Sequence, residues 1–287
     1  MNPASPFHSS FRRRPWLKGV VHAGLVATSL IFVFPLLWML STSLKPIEHT
    51  MVYPPEWVPS ELQWKNFAET VRYIPFWTYT KNTAFACTLA ALGTTFSSAL
   101  VAYSFARLEW PGRNLLFGLT LATMMVPFPV LMVPLYAVFR WFGWIGTLKP
   151  LWVPSLFGSA FNIFLLRQFF LRIPKSLPEA MTLDGASELR IFSSVYLPLS
   201  KAPLAVVAFF QFMYSWNDFL APLLYLTDQS SFTLSLGLQF YQSQLGGTQW
   251  HYLMAASLLT TVPIMVLFFF VQRSFLRGLG FLKNVDA

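Results

Sequence analysis

Charge is scarce in this chain of 287 residues. Asp, Glu, Lys and Arg together make up 11% of it, against 55% hydrophobic residues, whereas a soluble domain carries about 25% charged residues. With a mean hydropathy of +0.53, the chain has more apolar surface than its own core can hide, and the solvent that accepts the remainder is lipid. Cysteine is nearly absent. The single Cys87 lies in an apolar run, which excludes an internal disulfide and leaves the redox compartment unread. The four histidines, His8, His22, His49 and His251, are too scattered for any metal-ligand spacing. None of the 14 glycines is followed by lysine, so a G-x-x-x-x-G-K-[ST] phosphate loop is excluded. No nucleophile–base constellation can be assembled either, and the expectation is a protein that is not an enzyme.

The net charge of +9, from 20 basic and 11 acidic residues, does not point to nucleic acid. A nucleic-acid binder needs a basic patch on a polar fold. Here the basic residues punctuate apolar runs, and no nucleic-acid partner is expected.

The charges serve as rulers. No acidic or basic residue lies between Lys18 and Lys45, between Lys81 and Arg107, or between Arg113 and Arg140. Each gap exceeds the roughly 20 residues that cross a bilayer as a helix. Further apolar runs cover residues 150–172, with Arg167 placed to snorkel, residues 202–226, which include Asp218, and residues 252–271. Continuous runs without period-two alternation predict helices rather than a barrel, so the expected fold is an all-α membrane protein with six transmembrane helices. A cleavable signal peptide is the alternative for the first run, behind Arg12, Arg13 and Arg14. Its hydrophobic core is long for that role and no A-x-A site follows.

Basic residues set the orientation. With the N-terminus inside, the inner face receives Arg12, Arg13, Arg14, Lys18, Arg107, Arg113, Arg167, Arg172, Lys175, Arg190, Lys201, Arg273, Arg277 and Lys283, which is 14 of the 20. Both termini are expected to be cytoplasmic. The division is then a cytoplasmic segment (1–18), a first transmembrane helix (19–44), an extracytoplasmic loop (45–80), a five-helix core (81–275) and a cytoplasmic tail (276–287). The outer loop contains "YPPEWVPSELQWKNF" and reads as irregular chain with interfacial aromatics, suggesting no chemistry.

One stretch does not suit a greasy chain. "PKSLPEAMTLDGASELRIFSSVYLPLSKAP", residues 174–203, is charged and bracketed by proline, and it lies on the inner side. Ser176 and Glu179 have the spacing of a capping box. Leu177, Ala180, Met181 and Asp184 share a helical face, and Gly185 ends that helix or admits a close backbone. Ser187 is placed to cap a second helix with an apolar stripe of Ile191, Phe192, Val195 and Tyr196. A helix, a glycine joint and another helix are expected. They form either an amphipathic loop on the membrane surface or a docking element for a partner.

The segment resembles the EAA loop of ATP-binding-cassette importer permeases, whose pattern is E-A-A, three residues, G, nine residues, I-x-L-P. Here it reads Glu179-Ala180-Met181, then Gly185, then Val195-Tyr196-Leu197-Pro198, with Met181 in place of the second alanine and Val195 in place of isoleucine. "SLKP" at 43–46, "VPFPVLMVPLY" at 126–136, "FNIFLLRQFF" at 161–170 and "SWNDFLAPL" at 215–223 extend the resemblance to the sugar-importer branch, and within it to the second permease of the maltose type. The resemblance implies the type I importer (MetI-like) permease core in a bacterial or archaeal inner membrane. It implies a coupling helix in which Glu179, Ala180, Met181, Asp184 and Gly185 meet a cytoplasmic ATPase. The implied partners are two such ATPase subunits, which bind the ATP and Mg that this chain does not, together with a homologous second permease, an extracytoplasmic solute-binding protein and membrane lipid. The implied cargo is a sugar or oligosaccharide. Another small solute, such as a polyamine or phosphate, and a secondary transporter are the alternatives.

Candidates for the translocation path come from the residues themselves. Trp216, Asn217 and Asp218 interrupt the fifth run, and an ionisable residue within a membrane segment marks a functional site or the ordered mouth of a pore. Pro127, Pro129 and Pro134 are expected to kink or break the third, either lining a cavity or packing a bend. Asn162, Gln168, Tyr241, Gln242 and Gln244 are weaker polar candidates.

Overall fold

The computed structural model describes residues 15–242 and 247–284, and every regular element among them is helical. The basic cluster Arg12–Arg14, Gln244 and the last three residues lie outside the described residues, as do the side chains of Arg273, Arg277 and Lys283. The principal helices are α1 (Pro15–Ser43), α2 (Lys65–Tyr73), α3 (Phe76–Arg107), α4 (Arg113–Ala122), α5 (Phe128–Trp141), α6 (Ala160–Phe170), α7 (Ser176–Leu183), α8 (Lys201–Asn217), α9 (Leu220–Tyr225) and α10 (Trp250–Asn284).

Three helices are long and apolar enough to cross a membrane: α1 from Lys18, α3, and α10 as far as Gln272. Two further pairs reach that length only as bent units. One joins α4, with the turn to Met125, to α5 through a bend of 101°, and the other joins residues 188–199 to α8 through a bend of 80°. Among the described residues the count is three spans, or up to five. The first bend falls at Val126–Pro127, where extended backbone and a missing N–H stop one helix before Phe128 starts the next.

The expected fourth span is not a single helix. Lys149–Trp152 makes one turn, Val153–Phe157 tightens into a 3₁₀ turn around Pro154, and Gly158 takes φ +85° before α6 begins. The 11 residues of α6 extend about 16 Å, roughly half a hydrocarbon core. The fifth run also differs from expectation. It breaks at Asp218, whose ψ of 124° ends α8 before α9 resumes. Hydropathy counts apolar residues and is blind to these breaks.

The chain divides into two compact units. One comprises α1, α2 and the stretch 241–259. Several of its polar groups are paired: Tyr241 donates to the Thr70 carbonyl at 2.8 Å, Tyr252 donates to Glu69 at 2.5 Å, and Asn66 donates to the carbonyls of Ser43 and Lys45, each at 2.9 Å. The other comprises residues 73–240 and α10 from Thr260, with α3 at its centre. A face of small side chains on α3 (Ala86, Ala90, Thr94, Ser98, Ala99, Ala102) is buried and lets α6 and α8 approach closely. The core gathers at one end of this unit, where Tyr103, Phe105, Leu166, Phe170, Ile191, Phe192, Tyr196 and Val207 pack together.

Candidate functional site

The charged segment forms the helix, glycine joint and second helix expected of it, with one correction at its start. Lys175 already has helical angles (φ −65°, ψ −26°), and the Glu179 N–H closes the first turn onto the Lys175 carbonyl at 3.1 Å. Ser176 is therefore inside α7, not ahead of it, and no side chain caps this end. The capping box does not form because the chain turns helical directly after Pro174.

The far end of α7 is a Schellman motif. The Ala186 N–H bonds the Met181 carbonyl at 2.9 Å, the Gly185 N–H bonds the Thr182 carbonyl at 3.0 Å, and Gly185 sits at φ +76°. A Cβ at Gly185 would meet nothing within 4 Å, so the backbone angle, not crowding within this chain, calls for glycine. Met181 and Ala186, the two residues this motif brings together, both pack against the core. Glu179, Ala180, Asp184 and Gly185 remain exposed, and Leu183 is 90% exposed.

Ser187 caps the second helix, its hydroxyl accepting from the Arg190 N–H at 3.4 Å. Residues 192–196 then widen into a π-helical turn, the Leu197 N–H reaching back to the Phe192 carbonyl. Pro198 follows and has no N–H with which to resume the α pattern. Ile191, Phe192 and Tyr196 of the expected stripe are buried, and Val195 packs against the same core.

The loop is fixed to the helices behind it. Tyr103, near the end of α3, donates to Glu188 at 2.5 Å and meets the rings of Tyr196 and Phe192 at 4.8 and 5.2 Å. The Arg107 guanidinium lies 5.4 Å over Tyr196 and donates to the carbonyls of Phe170 and Ile173 at the end of α6. Arg167 does not snorkel outward. It donates to the Phe105 carbonyl at 3.1 Å and covers Phe117 at 4.2 Å, because the last carbonyls of α3 attract a cationic donor.

Two cavities in the same unit share part of their lining. The larger, about 720 Å³, is bounded by Thr94, Met124, Ser155, Asn162, Phe210, Gln211 and Tyr214 among others. The smaller, about 50 Å³, reaches Cys87, Ser215 and Asp218 and shares Ser155, Gln211 and Tyr214 with the first. None of the residues lining either is basic. Of the three polar candidates in the fifth run, only Asp218 lines a cavity. Its Oδ1 accepts from the Ala221 N–H at 3.2 Å and so orders the start of α9. Trp216 turns away, donating to the Thr260 carbonyl at 3.2 Å and stacking on Phe212 at 5.4 Å, and Asn217 donates to Met213 of its own helix. Pro127 and Pro129 are exposed and line neither cavity. The bend they make instead accompanies Thr123, Met124 and Leu131 at the wall of the larger one. Sequence reading missed Gln211 and Tyr214. Their spacing with Asp218 (i, i+3, i+7) was the available signal, a polar line on an apolar helix. Among the described residues no group of three His, Cys, Asp or Glu could hold a metal.

The family model of the binding-protein-dependent transport system inner membrane component matches residues 98–280. The arabinooligosaccharides transport system permease protein AraQ of Halalkalibacterium halodurans is 32% identical over 92% of this chain and 95% of that one. The sn-glycerol-3-phosphate transport system permease protein UgpE of Escherichia coli is 33% identical over 93% of this chain and 97% of that one. A solved bacterial ABC transporter involved in the import of the acidic polysaccharide alginate contains a chain of the same fold, with a TM-score of 0.79 at 21% identity over 91% of this chain and 97% of that one. A second structure, of an alginate transporter in complex with a periplasmic protein carrying an alginate pentasaccharide, gives a TM-score of 0.66 at 15% identity over 90% and 93%.

Proposed function

This chain belongs to the binding-protein-dependent transport system inner membrane components, and from that premise we propose that it is the second permease of an ATP-driven importer for a sugar or oligosaccharide. In this reading the chain spans the membrane six times with both termini in the cytoplasm, α6 and its preceding turns completing the fourth crossing. The segment 174–203 then faces the cytoplasm, as the distribution of basic residues favours. Two ATPase subunits supply the nucleotide site with ATP and Mg. A homologous permease completes the pore, and an extracytoplasmic solute-binding protein delivers the cargo.

The observation that carries the reading is the pairing of an exposed α7 with a buried continuation. Glu179, Ala180, Asp184 and Leu183 are presented outward, while the chain beyond Gly185 is bonded and packed against α3 and α6. A push on α7 is thereby transmitted to helices that line the cavities. The wall of the larger cavity, which includes Ser155, Gln211 and Tyr214 and no charged residue, supports a neutral polyhydroxylated solute, which is held by hydrogen bonds and needs no cation. The glycerol-phosphate relative supports a phosphorylated polyol as the second reading, for which a basic residue in the path is expected and the lining offers none.

The test begins with purification of the tagged chain in mild detergent, together with its ATPase, second permease and binding protein. In liposomes holding that assembly, Gly185→Asp is expected to leave assembly yield unchanged and to lower melting only slightly, since a short polar side chain tolerates the left-handed backbone at φ +76°, while abolishing ATP-driven uptake of the solute carried by the binding protein. Undiminished uptake would overturn the coupling role.

A further inference from the structure

One guanidinium holds both ends of the charged segment. Arg107, the last residue of α3, donates from Nη2 to the Phe170 carbonyl at 2.6 Å and to the Ile173 carbonyl, directly before the segment opens at Pro174. The same guanidinium lies 5.4 Å from the centre of the Tyr196 ring, where the segment nears its close. Ile173 and Tyr196 are 23 positions apart (173 to 196), and the chain between them, α7 included, is a loop fastened at its neck.

No carboxylate shares in this fastening. The one ion pair among the described residues is His49–Glu56, and Glu188 is taken by Tyr103. The Arg107 charge is met instead by two carbonyls at and just past the end of α6, where a cation is favoured. It is met also by the face of a ring with no exposed surface, where water does not weaken the attraction. The Tyr196 hydroxyl is buried and closes no hydrogen bond, so the ring face, not the oxygen, makes the contact. The π-helical turn at 192–196 aims that ring. Without its extra residue, continuous α geometry would carry Tyr196 about 100° round the helix.

Capping α6 needs only the carbonyl bonds. The ring contact ties a second element to the same cation, and that addition carries the inference. We propose that Arg107 is a positioning residue for coupling: by closing the neck of the segment on the end of α3, it makes a displacement of α7 move α3 and α6 instead of bending the loop. The proposal rests on the importer reading, in which α7 receives the ATPase.

The experiment measures solute uptake and ATP hydrolysis on the same preparation of the full assembly in liposomes. Arg107→Gln, Arg107→Lys, Tyr196→Phe and Tyr196→Leu are compared with Val207→Ala, which thins the same core and leaves both guanidinium contacts in place. Losing a buried cation-over-ring contact shifts the balance from tied to slack loop about ten-fold or more. Uptake per ATP hydrolysed is expected to fall by that factor in Arg107→Gln and Tyr196→Leu, while hydrolysis continues. Tyr196→Phe and Val207→Ala are expected to keep the wild-type ratio. Arg107→Lys, which keeps the charge but only part of the bonding, is expected to recover part of it. Uptake and hydrolysis falling in step in Arg107→Gln and Tyr196→Leu would reduce Arg107 to a helix cap and overturn the proposal. Uncoupling in Tyr196→Phe would overturn it too, because the hydroxyl would then be the working group. Should Arg107→Gln fail to assemble, Tyr196→Leu against Tyr196→Phe and Val207→Ala still decides. A wild-type assembly that hydrolyses ATP and carries no solute would instead bring down the importer reading itself.

Discussion

Tyr103 and Glu188 are 85 residues apart in sequence and 2.5 Å apart as hydrogen-bond partners. The bond joins the last turns of α3 to the first residue past the Ser187 cap, so it links the central helix to the exposed loop without passing through α6. Tyr103→Phe keeps the ring contacts to Phe192 and Tyr196 and removes only this bond. Glu188 is exposed and regains water, so the loss is expected near 1 kcal/mol, a small fall in melting temperature. In the assembly, uptake is expected to fall further than ATP hydrolysis. An unchanged ratio of the two would leave the bond a structural tie alone.

Gly185 separates backbone strain from docking. A side chain there meets nothing in this chain, so the cost of substitution comes from φ +76° alone. Gly185→Ala is expected to destabilise by about 1–2 kcal/mol, and Gly185→Asn by less, because a short polar side chain tolerates left-handed backbone. Thermal melts of the two variants in the same detergent check the order. A large loss of stability in Gly185→Asn would show that the surroundings are tighter than the open space recorded here.

Which of these features could be read in advance follows from the range of the interaction. The apolar runs and the glycine joint are local, and charge gaps and spacing located α1, α3, α10 and Gly185 without tertiary information. The break at Gly158 escaped because a lone glycine after a proline-containing run reads equally as a packed helix. The capping box at Ser176 failed on one residue, since nothing in the sequence forbids Lys175 from turning helical. The bond from Tyr103 to Glu188, the carbonyls taken by Arg107 and Arg167, and the meeting of Gln211 and Tyr214 with Ser155 all depend on how helices pack. No periodicity within a single helix encodes those.

Gly237, which is buried, and Gly93, which is half-buried, should respond differently to the same change. At Gly237 a Cβ would lie 2.4 Å from Cδ2 of Tyr79, a ring with no exposed surface. At Gly93 the nearest atom is the terminal Cδ2 of Leu156 at 2.6 Å, on a side chain 44% exposed. A leucine methyl swings aside and a packed ring does not. Gly237→Ala is expected to cost about 1–3 kcal/mol as overpacking, and Gly93→Ala much less. Equal melting temperatures for the two variants would contradict this.

Asp218 orders the start of α9 through one carboxylate oxygen and reaches the smaller cavity. Asp218→Asn keeps an acceptor for the Ala221 N–H and is expected to retain both stability and uptake. Asp218→Ala removes it and is expected to lose about 1 kcal/mol, as for a deleted helix-start acceptor. If uptake collapses in Asp218→Asn while the melt is unchanged, the negative charge itself serves the path, and the ordering role is insufficient.

The outer loop has its own pH dependence, and its sign follows from Glu56. The Ser60 N–H first, and then the His49 side chain, hold the Glu56 carboxyl below its usual 4.5, against the opposing effect of desolvation. A depressed folded-state value means that the carboxylate contributes stability above about 4.5, the value in the unfolded chain, and that this contribution is lost as pH falls through the lower folded value. The loop is therefore expected to hold its shape at neutral pH and loosen only in acid, below 4.5. With a nitroxide at Val58→Cys, the spectrum should pass from immobilised to mobile over that window. Glu56→Gln should be more mobile at pH 7 and show no acid step. A step of the same size in Glu56→Gln would assign the transition to another group and detach the loop's shape from the His49–Glu56 pair.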